Sequence, residues 1–121
     1  MSELVATLKV LSDQIRLRML NLLLQRECCV CEVMQALDIS QTRASRNLTM
    51  LYSVGLLKLR KEGLWSLYSI DWDAMDANTR DIIKAAHKAF TGDRQMEADL
   101  RQLKKALRVG VSCVNKSCNC N

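Results

Sequence analysis

The sequence predicts a single, mainly α-helical domain with one small β-hairpin. The 121-residue chain has no proline and only four glycines, so helices should dominate. Apolar residues recur at helical spacing along most of the chain. Near the middle, a polar helix follows a tight turn and precedes two short strands, and this order of elements is typical of a winged helix-turn-helix.

Two helices are expected in the first quarter of the chain. Leu4, Leu8 and Leu11 are four and three residues apart, which places them on one face of a first helix. The Ser12-Asp13 pair offers capping oxygens for a second helix. Residues 15–24 are apolar around most of the helix circumference, so this second helix should be central to the core.

A cysteine-rich segment, residues 27–31, interrupts the periodicity. Apolar spacing then resumes, so we expect a short helix with Val33, Met34 and Leu37 facing inward. A turn at residues 38–40 should end it.

The polar helix is expected over residues 41–52, with Ser40 as its capping residue. Its apolar stripe is narrow, so most of its surface is available to a polar partner. The stripe consists of Ala44, Leu48 and Leu51.

A hairpin is expected next. Gly55 should end the polar helix, because glycine often follows a helix C-terminus. Residues 56–60 and 65–70 have the composition of strands, and residues 61–64 form a glycine-containing turn between them.

The remaining chain predicts two helices and a tail. A long helix should run from about residue 73 to residue 90. A last helix has apolar residues at spacings of four, three and four, a coiled-coil-like seam suited to a dimer: Met96, Leu100, Leu103 and Leu107. We expect residues 1–108 to form the DNA-binding and dimerisation domain and residues 109–121 to form a flexible tail.

The basic residues are concentrated where a helix-turn-helix would meet DNA. The formal net charge is +5, from 18 Lys and Arg against 13 Asp and Glu, which suits a polyanionic partner. From Gln41 to Lys61 there are five basic residues and no acidic one. A recognition helix reads bases in the major groove, and a wing contacts phosphate or the minor groove. The predicted DNA-binding residues are Gln41, Thr42, Arg43, Ser45, Arg46, Asn47, Arg60 and Lys61.

Other features bear on class and compartment. The single histidine, His87, is expected to be a surface residue. Having only one histidine and no glycine-rich phosphate loop argues against an enzyme. The sequence has no apolar run long enough for a membrane span and no basic N-terminal signal region, so we expect a cytoplasmic protein. In that reducing compartment the six cysteines are expected to be free thiols or metal ligands.

Two segments carry a family resemblance. Residues 39–51, ISQTRASRNLTML, with the following VGLL and RKEG segments, resemble the recognition helix and wing of the ArsR/SmtB repressors. Residues 11–20 are similar to the first long core helix of that family. The resemblance implies a dimeric, metal- or metalloid-responsive repressor that binds operator DNA. Gln14 stands where the family often has proline, and Asn47 stands where it often has histidine, which could alter a DNA contact.

The cysteines suggest the inducer. Cys29 and Cys31 match the Cys-Val-Cys pair that arsenic-responsive members carry before the recognition helix. A helix N-terminus favours thiolate over thiol, and thiolates bind soft ions. The expected inducer is trivalent arsenic or antimony, which takes up to three sulfurs. Cadmium and zinc, which usually take four ligands, are the alternative soft ions.

The third sulfur ligand is expected to be Cys28, with cysteines of the tail as the alternatives. Relatives often have a further cysteine where this chain has Met34, which we expect to pack in the core. Cys28 is the nearest replacement, but adjacent residues cannot easily aim both sulfurs at one ion without distortion. The other candidates lie in the tail: Cys113, Cys118 and Cys120.

These expectations give one mechanism and two alternatives. Arsenic binding at the cysteines reshapes the short helix beside the recognition helix, and the dimer leaves its near-palindromic operator. Such coupling typically amounts to about 1–3 kcal/mol. The first alternative is a thiol redox sensor on the same scaffold. The second, of a different class, is a metal-sequestering or metal-delivery protein whose basic helix is incidental.

Overall fold

The computed structural model describes residues 1–109. Within that range the chain is mainly α-helical with a small three-stranded antiparallel sheet, which confirms the predicted fold class. The elements in chain order are α1 (Ser2–Leu11), α2 (Gln14–Gln25), β1 (Cys28–Cys29), α3 (Val30–Leu37), α4 (Gln41–Ser53), β2 (Leu57–Glu62), β3 (Trp65–Ile70), a 3-10 turn (Trp72–Ala74), α5 (Ala77–Phe90) and α6 (Arg94–Lys105).

Side-chain caps set where several helices begin. Asp13 accepts a hydrogen bond from the backbone N–H of Arg16 at 3.0 Å and begins α2, as expected. Ser40 accepts from the N–H of Arg43 at 3.2 Å and begins α4. Asp76 caps α5 in the same way, so the long helix expected from residue 73 begins four residues later, after the 3-10 turn. Local capping chemistry therefore decides these boundaries.

The sheet has the order β1-β3-β2, and β2 and β3 form the wing. Glu62 pairs with Trp65, so the hairpin loop has two residues instead of the expected four. Gly63 begins this loop with a φ of +60°, a conformation that glycine accommodates without strain. The third strand, β1, was not predicted, because two residues are too short to show alternation.

Helix α2 lies at the centre of the core, as its apolar circumference predicts. Met19, Leu20 and Leu22 are fully buried. Helix α6 packs against α2 and α3 of the same chain. Its seam residues Met96 and Leu103 are therefore buried within one protomer. The expectation that this seam serves a dimer is wrong for these residues, and Leu107 lies beyond the helix end.

Polar contacts explain why α6 packs on its own chain. The guanidinium of Arg18 donates two hydrogen bonds to the buried carboxylate of Asp99, at 2.8 and 2.9 Å. The side-chain amide of Asn21 donates to the backbone carbonyl of Met96 at 3.0 Å. A buried ion pair and amide contribute most when every polar atom finds a partner, so they fix the position of α6 on α2.

No helix in residues 1–109 is long and apolar enough to cross a membrane.

Candidate functional site

Helix α4 presents a polar, basic surface. Ala44, Leu48 and Leu51 are fully buried, and they form the narrow stripe expected from the sequence. The side chains of Arg43 and Arg46 lie outside this stripe and are exposed. Thr42 is exposed, and Gln41, Ser45 and Asn47 are half-buried. The first two turns of α4 can therefore contact a polar partner that has a groove wide enough for a helix.

Hydrogen bonds within the protein hold part of this surface. Asn47 accepts from the Nη1 of Arg16 at 3.0 Å, and its amide donates to the carbonyl of Arg43 at 2.8 Å. The amide of Gln41 donates to Ser45 Oγ at 3.0 Å. Arg16 belongs to α2, so Asn47 links the polar helix to the core. This contact gives Asn47 a positioning role in addition to any contact with DNA.

The wing continues the basic surface but carries an ion pair that the sequence did not suggest. Arg60 and Lys61 are exposed on β2. Arg60 donates two hydrogen bonds to the carboxylate of Glu27, both at 2.8 Å, and lies 2.9 Å from a carboxylate oxygen of Glu62. These carboxylates raise the pKa of Arg60. Both acids lie outside the acid-free stretch, so a count of charges along the chain misses them.

Cys29 and Cys31 lie together in a small cluster, where α3 begins. Cys29 is the N-cap residue of α3, and Cys31 is in its first turn. Both are buried with Leu67, and the half-buried Trp65 and Val109 pack against them. The amide of Gln35 lies 3.2 Å from the Cys31 sulfur. The two cysteines therefore share one buried environment at the start of α3.

Cys28 does not join this pair. Consecutive residues of a strand point to opposite faces, and Cys28 packs in the main core instead. Its thiol donates to the carbonyl of Arg26 at 3.4 Å. Among the described residues, no group of three or more His, Cys, Asp and Glu side chains could hold a metal ion. The tail candidates Cys113, Cys118 and Cys120 lie outside the described residues.

Burial changes the expected ionisation of these thiols. Burial raises the pKa of Cys29, and it raises the pKa of Cys28 to about 12. The N–H of Glu32 lowers the pKa of Cys29 but does not offset burial. The helix N-terminus favours thiolate as expected, but at Cys29 desolvation outweighs the helix-terminal N–H groups.

A buried carboxylate organises the polar groups around the pair. Glu32, which is 3% exposed, accepts from the N–H of Cys29 at 2.9 Å and from Arg26 at 2.8 Å. Arg108 donates to the same carboxylate at 3.2 Å. Burial acts to raise the pKa of Glu32, but these donors outweigh it and the pKa is lowered. Glu32 thus stays ionised and fixes the start of α3.

Residues 106–109, which we call the strap, cross α3 beside the cysteine pair. Gln35 makes two hydrogen bonds with the backbone of Leu107, accepting at 3.0 Å and donating at 2.8 Å. Trp65 donates from Nε1 to the carbonyl of Val109 at 2.6 Å, and Arg108 lies over its ring. Sequence reasoning assigned Val109 to the tail, because a segment without periodicity gives no sign of docking.

Two other expectations concern single residues. Met34 is 8% exposed and belongs to the main core, which agrees with a packing role. His87 is exposed on α5, as expected for a surface residue. Neither residue takes part in the cysteine cluster.

A polar, basic helix beside a basic hairpin defines a class of protein, the winged-helix DNA-binding transcriptional regulators. Residues 13–59 match the family described as bacterial regulatory protein, arsR family. The chain is 34% identical over 97 residues to the arsenic resistance transcriptional regulator ArsR1 of Pseudomonas putida, and the alignment covers 76% of this chain and 75% of that protein. It is 35% identical over 89 residues to a cadmium resistance transcriptional regulatory protein, a CadC homolog of Staphylococcus aureus, and the alignment covers 73% of this chain and 68% of that protein.

Solved structures give the same result. The homodimeric winged helix-turn-helix DNA-binding domain Mb0332 of Mycobacterium bovis matches with a TM-score of 0.64 and 27% identity, covering 77% of this chain and 82% of that one. The chain belongs to the arsR family of bacterial regulatory proteins. The resemblance found in the recognition helix and wing is thereby confirmed, and the relatives named here are transcriptional regulators.

Proposed function

We propose that the protein is a homodimeric, cytoplasmic repressor that leaves its operator when trivalent arsenic or antimony binds Cys29 and Cys31. One observation carries this proposal: the two cysteines lie together at the start of α3, the helix that packs against α4. A ligand that pulls their sulfurs together changes the first turn of α3. That change reaches the recognition helix through the packing of the two helices.

The DNA-bound state uses α4 and the wing. The expected contacts are those predicted from the sequence, with Arg43 and Arg46 toward base edges and Lys61 toward phosphate. Arg60 is held by Glu27 and Glu62, so it must exchange a carboxylate for a phosphate to contact DNA. Two copies would place their recognition helices about one helical turn apart on a near-palindromic operator.

The dimer forms through α1 rather than through the seam of α6. Leu4, Val5 and Leu8 of α1 are 39%, 44% and 47% exposed, a cluster of apolar side chains on one short helix. Such a surface usually marks an interaction site. The homodimeric description of the Mycobacterium bovis domain supports the same assembly here.

The chemistry of the buried pair favours a neutral metalloid. Arsenous acid is uncharged at neutral pH, and each thiol that it binds exchanges an S–H bond for an S–As bond with loss of one water. In the fully reduced protein the two cysteine thiols release two waters, and no net charge is created. Cadmium or zinc would require deprotonated thiols. Because burial raises the pKa of Cys29, this deprotonation is costly in the folded protein.

The position of Cys28 favours a tail cysteine as the third sulfur ligand. Cys28 faces the main core, whereas Val109 packs directly against the pair. Four residues of extended chain span at most about 14 Å, so Cys113 is within covalent reach of the pair. We therefore propose that a tail cysteine completes the site.

The experiment is a titration of a protein–DNA complex under reducing conditions. The operator is first selected from a randomised duplex pool, and release is followed by fluorescence anisotropy. Arsenite should release the wild type, whereas a Cys29→Ser, Cys31→Ser variant should bind the operator normally and ignore arsenite. Cys28→Ala is the matched control and should still respond. Truncation after Val109 should shift the response to much higher arsenite.

The outcomes separate the candidate functions. Release by peroxide but not by arsenite would indicate the thiol redox sensor instead. Metal binding without selection of any DNA sequence would indicate a sequestering protein. Release of the double variant by arsenite would show that the inducer site lies elsewhere.

A further inference from the structure

The strap closes over the cysteine pair from the side of α3. Cys29 is 1% exposed and Cys31 is 0% exposed, so neither sulfur is accessible without motion. Among residues 1–109, three elements pack against them: α3 itself, β3 through Leu67 and Trp65, and the strap through Val109. Part of this cover has to move before a reagent reaches the sulfurs.

We propose that the strap is a lid over the Cys29/Cys31 pair and that it lifts to admit ligands. Strand β3 is held on both edges by β1 and β2, and α3 lies in the core. The strap lies outside helix and sheet and is attached by side chains: Gln35 to Leu107, Glu32 to Arg108 and Trp65 to Val109. No side chain of the strap is fully buried, and segments with few buried apolar contacts and exposed hydrogen bonds open at the lowest free energy.

Lifting the strap also acts on two parts of the DNA-binding unit. Gln35 and Glu32 belong to α3, which precedes the recognition helix, and Trp65 is the first residue of the second wing strand. Release of the strap removes contacts from both at once. The inference uses the cysteine pair of the proposed function, but the lid does not depend on which ligand enters.

Alkylation of the reduced protein tests the lid. Iodoacetamide is added briefly, and tryptic peptides are sequenced by tandem mass spectrometry. Cleavage after Arg26 and Arg43 gives one peptide that contains all three cysteines near α3. Cys28 serves as the internal reference, because it lies in the main core and reacts only when the whole domain opens.

A pair of substitutions at one position isolates the strap. Leu107→Pro removes the N–H that donates to Gln35, whereas Leu107→Ala keeps it, and the Leu107 side chain is 72% exposed. The preceding Ala106 has φ −68° and ψ 139°, which a residue before proline readily adopts. Trp65→Phe, the second variant, keeps an aromatic ring but removes the donor to Val109.

Leu107→Pro and Trp65→Phe should each speed alkylation of Cys29 and Cys31 by roughly tenfold, because the rate follows the population of the open state. Leu107→Ala should match the wild type, and Cys28 should stay unreactive throughout. Equal rates in Leu107→Pro and Leu107→Ala would overturn the proposal, as would a parallel rise at Cys28. If arsenite fails to release DNA while Leu107→Pro still speeds alkylation of the pair, the proposed inducer is wrong but the lid proposal is supported.

Discussion

Replacing Glu32 with Gln tests whether the charge network at the start of α3 holds the cysteine region in place. The buried carboxylate receives the N–H of Cys29 and the guanidinium groups of Arg26 and Arg108. Glutamine has nearly the same shape but only one acceptor oxygen. At least one of the three donors must therefore lose its partner and face an amide NH₂ group.

The expected magnitude follows from burial. A hydrogen bond to a charged group contributes about 1.5–3 kcal/mol, and breaking a fully buried ion pair costs about 3–5 kcal/mol. The side chains of Arg26 and Arg108 are 36% and 28% exposed, so water can solvate them and the lower range applies. Glu32→Gln should lower the free energy of unfolding by about 2 kcal/mol, or roughly 5–10 °C in melting temperature.

The effect should depend on pH in a defined direction. Burial raises the pKa of Glu32, but the Cys29 N–H and Arg26 outweigh burial, so the folded-state pKa is lowered. A carboxylate with a lowered pKa contributes stability above its unfolded value, about 4.3, and loses that contribution as pH falls through the folded value. The difference between wild type and variant should therefore be constant near neutral pH and shrink in acid.

The assay is urea unfolding of the reduced protein, followed by circular dichroism at a fixed protein concentration and over a series of pH values. Glu97→Gln is the matched control, because Glu97 is exposed on α6 and should change stability by less than about 0.5 kcal/mol. A Glu32→Gln effect as small as the control, or one that persists unchanged in acid, would refute the reasoning.

The remaining predictions concern DNA, the dimer and alkaline stability. Arg43→Ala or Arg46→Ala should weaken operator binding by about 1–3 kcal/mol, whereas Lys61→Ala should weaken binding to all duplexes alike and reduce the dependence of affinity on salt concentration. Anisotropy titrations at several salt concentrations distinguish these results. Unchanged operator affinity in both arginine variants would contradict the recognition-helix assignment. Leu8→Glu should convert a micromolar dimer into a monomer in sedimentation, because it places a charge in each half of an apolar interface; a persistent dimer would place the interface elsewhere. Because burial raises the pKa of Cys28 to about 12, the unfolded thiol ionises first. Above about pH 9 the wild type should therefore lose roughly 1.4 kcal/mol per pH unit more than Cys28→Ala, and parallel urea-unfolding curves would contradict this.

Local patterns were sufficient for the positions of α2 and α4 and for the exposed polar surface of α4. The position of α2 followed from its apolar circumference, and the start of α4 followed from Ser40, because a helix must bury one face and cap its first N–H groups. The exposed side chains of α4 are those opposite its narrow stripe, so the candidate residues Arg43 and Arg46 could be selected from periodicity alone.

The cysteine site needed the tertiary structure. The sequence placed Cys28, Cys29 and Cys31 within four residues, but it could not show that Cys28 faces the main core while the other two face the strap. That separation depends on the pairing of β1 with β3. A strand of two residues has no period from which its faces could be inferred.

The sequence by itself determined the winged-helix class, the polar helix α4 and the adjacent cysteine pair, because each rests on neighbours within a few residues. Only the tertiary structure decided that α6 packs on its own chain, that Glu27 holds Arg60 and that the strap covers the pair. Gln35 and Leu107 are 72 residues apart, and Trp65 and Val109 are 44 residues apart. Such contacts are set by packing and by the satisfaction of buried polar groups, which no local pattern records.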